Sequence, residues 1–127
     1  MVAAFGLAYL VIGLAFGALA ANAATVETRQ LWRIAAWFLS AIAFSFHLRY
    51  EFIRRQRAPF GTALRAAGAV AVGGFGLALA ANVHARAVGA TNRGFIVALV
   101  AWPLLLAVPA FIIAWAATAI LARTRSN

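Results

Sequence analysis

Between Val2 and Ala24 the chain carries no charged side chain, and three later stretches are almost as apolar. At a rise of about 1.5 Å per residue, a helical run of this length crosses a hydrocarbon core of about 30 Å. Lipid offers the backbone no hydrogen-bond partners, so each run has to satisfy its own N–H and C=O groups as a helix. The runs predict spans over 2–24, 31–50, 62–83 and 95–122, joined at the middle by a connection over 51–61. The expected fold is an all-α membrane protein, four transmembrane helices forming a single domain over 1–127. With 66% of 127 residues hydrophobic and 10% charged, the chain has more apolar surface than a water-soluble fold of its size can enclose.

Ala21-Asn22-Ala23 is similar to a small-residue cleavage site. No Arg or Lys precedes the first run, however, and the run is long for a signal-peptide core, so it is expected to be retained as a span. Within it, Gly13 and Gly17 form a small-xxx-small pair that predicts a packing face. The third span is the richest in small residues, from Ala66 through Gly68, Gly73 and Gly74 to Gly76. Small side chains let neighbouring backbones come near, which predicts a central position for this helix. The fourth span exceeds one crossing, and Pro103 and Pro109, each lacking a backbone donor, are the expected bends.

The charges lie mostly between the runs. Every basic side chain is arginine, eleven in all, against only Glu27 and Glu51. Arg49, Arg54, Arg55, Arg57, Arg65, Arg123 and Arg125 fall on one predicted side, and Arg29, Arg33, Arg86 and Arg93 on the other. The positive-inside rule then places both termini and the central connection in the cytoplasm, with Arg54, Arg55 and Arg57 anchored to anionic lipid headgroups. The arginine-only, alanine-rich composition suits a GC-rich genome and a bacterial inner membrane. With no basic helix outside the spans and no soluble domain, nucleic acid is not an expected partner. Arg33, just inside the second span, is expected to snorkel to the interface, the alternative being a pair with Glu27.

Phe16-Gly17-Ala18-Leu19-Ala20-Ala21-Asn22 recurs as Phe75-Gly76-Leu77-Ala78-Leu79-Ala80-Ala81-Asn82 with one added residue. The repetition fits a tandem duplication of a two-helix hairpin.

Three constellations bear chemistry. His47 and Glu51 stand one helical turn apart, with Arg54 and Arg55 following at similar spacing. One reading is a cytoplasmic helix end whose carboxylate is paired by arginine, and the other is a charge relay from Glu51 to His47, whose imidazole changes charge near neutral pH. Asn22 and Asn82 end the first and third spans on the outer side. They read either as helix caps or, with Arg86 and Arg93, as an outer polar vestibule able to attract an anion. Two histidines also raise bis-histidine haem, but His47 and His84 fall on opposite sides in consecutive spans, so one protomer is not expected to ligate a ring through both, and the alternative is equivalent histidines paired across a homo-oligomer axis.

The absences narrow the field. There is no cysteine, which excludes disulfides, thiolate catalysis and iron–sulfur clusters. Neither acid is expected within a span, where a proton-coupled exporter of cations needs one. No catalytic triad, zinc-ligand or phosphate-loop pattern occurs, so no catalytic, cofactor-binding or metal-binding residues are expected. The leading expectation is a non-catalytic accessory or structural subunit of a membrane complex, packed against other membrane subunits through its Ala/Gly faces and held at the cytoplasmic surface by Arg54, Arg55 and Arg57. The alternative is a small homo-oligomeric transporter or channel for an anionic or neutral solute.

Overall fold

A computed structural model of the protein describes residues 1–54, 58–90 and 93–125. Helix α1 runs over Val2–Ala21, α2 over Val26–Arg49, α3 over Pro59–Ala87 and α4 over Arg93–Arg125, with a π-helical turn over Tyr50–Arg54 extending α2. No strand occurs among the described residues. All four helices are long and apolar enough to cross a membrane.

Most helices overrun the apolar stretches that announce them. Hydropathy marks the part of a helix in hydrocarbon, while capping chemistry marks where the helix stops, and the two need not coincide. The α2 helix starts at Val26 because the Thr25 side chain accepts from the Thr28 N–H at 3.1 Å. Pro59 opens α3, a position where its missing donor costs nothing. The same helix closes on Gly89, whose φ of 69° lets the Ala90 N–H reach the Ala85 carbonyl at 2.8 Å. α1 is the exception and stops short of the expected Ala24, with the Asn22 backbone and side-chain amides both bonding to the Ala18 carbonyl, at 3.1 and 2.8 Å. α4 continues through Pro103 and Pro109 as one helix of 33 residues.

Contacts between helices give the arrangement. Gly6 meets Ala69 and Val72, Gly73 meets Tyr9, and Gly13 meets Leu77, so α1 and α3 run parallel in near-constant register. Phe60 on Phe111 and Gly74 against Leu106 and Pro103 make α3 and α4 antiparallel. Phe5 on His47 and Phe16 near Trp32 do the same for α1 and α2. Two hairpins are thus joined through an α1–α3 seam. As expected from its small residues, α3 is the enclosed helix: 39% of its most apolar window is buried, against 6% in each of the others.

The expected Gly13–Gly17 face is corrected. Gly13 packs on Leu77, but a Cβ at Gly17 would meet no atom within 4 Å. The close approach lies a turn or more earlier, where a Cβ on Gly73 would stand 2.7 Å from Tyr9 Cβ and 3.1 Å from the Gly6 carbonyl oxygen.

Candidate functional site

Two regions, one at each end of the bundle, carry polar chemistry. The first surrounds the end of α2. Phe44 and Leu48 pack against a core of Ala63, Ala66 and Ala114, which brings the end of α2, with His47 and the following Glu51, to the helices that carry Thr62 (α3) and Thr118 (α4). All four side chains are buried, His47 and Thr62 completely. The His47 ring stacks on Phe5 with centroids 4.1 Å apart and planes 8° from parallel, while neither ring nitrogen has a hydrogen-bond partner in the protein. The Thr62 hydroxyl and the buried Tyr9 hydroxyl are likewise unpartnered. Thr118 is satisfied, donating to the Ala114 carbonyl at 2.7 Å and lying 3.5 Å from the Pro59 carbonyl, which links α4 to the first turn of α3.

Glu51 departs from expectation. It is 2% exposed and lies inside the continuous helical stretch Val26–Ile53, enclosed by the bundle rather than at a solvated helix end. Over Tyr50–Arg54 the helix continues as a π-turn, in which Glu51 and Phe52 are both buried. Turns of this kind occur mostly as single local distortions and often at functional sites.

The sequence-derived anchors are only partly in view. Arg54 closes the π-turn, and Arg55 and Arg57 lie outside the described residues. At the opposite end, Asn22 is exposed and bonds within its own helix. Asn82 is buried inside α3, five residues before its end, and donates to the Ala78 carbonyl at 2.9 Å and the Phe95 carbonyl at 2.6 Å. It clasps the start of α4. Arg86 and Arg93 are exposed near the α3–α4 turn.

The second region is one that sequence reasoning did not assemble. A cleft of about 520 Å³ opens between α1, α2 and α4, with Gly13, Gly17, Ala20 and Ala21 as its floor and Arg29, Arg33, Trp37 and Trp102 on its walls. It contains two arginines and no acid. Arg33, expected to snorkel or to pair with Glu27, lines this cleft. The spacing of Arg29, Arg33 and Trp37, four residues each time, was the available signal, because it sets all three on one face of α2.

Among the described residues, no group of three His, Cys, Asp or Glu side chains is placed to hold a metal ion. Comparison with protein-family models, curated proteins and solved structures finds no match for this chain.

Proposed function

We propose that the protein is a non-catalytic component of a membrane assembly, joined to other chains through the outer faces of α2 and α4. One observation carries this reading. The surface of 8433 Å² well exceeds the value of about 6,500 Å² for a compact water-soluble chain of the same 13.4 kDa. Much of the excess is on α2, where Trp37, Phe38 and Phe46 are exposed, and on α4, where Val100, Leu105 and Ile113 are exposed. Lipid can cover such faces, and the same exposed area is what van der Waals packing against another chain's helices would use. The proposed setting is a bacterial inner membrane, with both termini and the central connection in the cytoplasm.

The test is gentle extraction of the tagged protein from its native membrane, followed by native mass spectrometry. Other chains held at fixed stoichiometry, and lost on Phe38→Ala/Phe46→Ala, are the expected result. Recovery of the protein alone overturns the reading.

A second reading, a homo-oligomeric transporter or channel for an anionic or neutral solute, is favoured by the polar groups at the two ends: His47, Glu51, Thr62 and Thr118 at one, Arg29 and Arg33 at the other. A pathway along the third helices is the weaker version, since the exposed stripe of α3 includes Leu64, Val72, Phe75, Leu79 and Val83. Proteoliposome flux that falls with Arg33→Gln supports transport, and flux equal to that of empty liposomes removes it.

The halves are also proposed to descend from one duplicated hairpin. The parallel α1–α3 seam and the matching bonds of Asn22 to the Ala18 carbonyl and Asn82 to the Ala78 carbonyl, each spanning four residues, support that origin.

A further inference from the structure

The cleft between α1, α2 and α4 combines features that no single helix face provides. Its two arginines stand one turn apart on α2, and its lining has no carboxylate to neutralise them. Glu27 is on the same helix but two and six residues from them, spacings that turn it to another side. Below Arg33 the lining is apolar: Ala36 and Trp37 on one wall, Trp102 on the other, and Phe16 with the small residues of α1 beneath. Gly17 supplies open floor, since a Cβ there would meet nothing within 4 Å. From Arg29 to Trp37 is eight residues, about 12 Å along the helix, so the cleft passes from the charged end of α2 well into the span. Its volume of about 520 Å³ is within the usual range of about 300–1,000 Å³ for sites that enclose a small molecule.

We propose that this cleft binds one anionic phospholipid, its phosphate held by Arg29 and Arg33 and one acyl chain laid over Gly13 and Gly17 between Trp37 and Trp102. Guanidinium pairs match phosphate oxygens in geometry as well as charge. A free inorganic anion would use only the arginine end and leave the apolar length empty, which is why a lipid is the occupant.

The probe is phosphatidylglycerol, with phosphatidylcholine as the zwitterionic comparison, added to the full-length protein in mild detergent and read by native mass spectrometry. The wild type is expected to retain phosphatidylglycerol over phosphatidylcholine by about thirtyfold, two arginines each contributing as they do near an anionic surface. Arg29→Gln/Arg33→Gln should bring that ratio close to one. Gly17→Leu, which fills the floor where no protein atom stands, should reduce retention of both lipids while leaving the unfolding temperature unchanged. Equal retention of the two lipids by the wild type overturns the proposal, as does an unchanged ratio in the double arginine variant. Displacement of phosphatidylglycerol by millimolar inorganic phosphate also overturns it, in favour of a free-anion site.

Discussion

His47 brings two opposing contributions to one position. Its ring is fully buried and stacked on Phe5, a packing gain, yet both nitrogens lack a protein partner, and burying polar atoms without one is costly. His47→Phe keeps the stack and removes the cost, so stability in detergent should stay within about 1 kcal/mol of wild type or rise. His47→Ala leaves a cavity and should lose about 2–5 kcal/mol. Denaturant titration of both variants checks the pair, and a large loss in His47→Phe would show that the nitrogens are satisfied by water. This residue also marks the limit of what was legible. The spacing of His47 and Glu51 placed them on one face, but charge pattern alone assigned that face to a cytoplasmic helix end. Their burial comes from packing between helices, where Phe44 and Leu48 meet Ala63, Ala66 and Ala114, a tertiary fact with no local signal.

At the scale of the helix, the α1–α3 seam carries the clearest test. A side chain at Gly73 would collide with Tyr9 Cβ at 2.7 Å, an atom fixed to the backbone, whereas at Gly13 the obstacle is the mobile end of Leu77. Gly73→Ala should therefore cost about 1–3 kcal/mol, as overpacking does, while Gly17→Ala should be neutral or slightly stabilising. Thermal unfolding of the two single variants separates these outcomes, and equal behaviour would refute the seam as described. The four helices were readable because freedom from charge over a bilayer's thickness leaves few alternatives. Which glycines touch was not, because α1 offers Gly6, Gly13 and Gly17 and only the rotation of α1 against α3 selects among them. The arginine cleft stayed hidden for a related reason: its face of α2 was legible, but its other wall, Trp102, arrives from α4.

Over the whole molecule, the proposed orientation rests on Arg49, Arg54, Arg55, Arg57, Arg65, Arg123 and Arg125 outnumbering Arg29, Arg33, Arg86 and Arg93. A chain without cysteine is ready for single-cysteine labelling. An impermeant maleimide should modify Gln30→Cys in intact cells and Thr124→Cys only after the membrane is opened, and the reverse pattern would invert the topology. Replacing Arg54, Arg55 and Arg57 by Gln leaves four arginines on each side, and both positions should then label in part. The parallel seam between α1 and α3 is, finally, also a line along which the protein can be cut. Each hairpin enters the bilayer as two adjacent antiparallel helices, and the seam between hairpins involves no covalent crossing except the central connection. Residues 1–57 and 58–127 made as two polypeptides should find each other in the membrane and co-purify through a tag on either one, and Gly73→Leu should part them. A gene broken at that point would still encode one working fold.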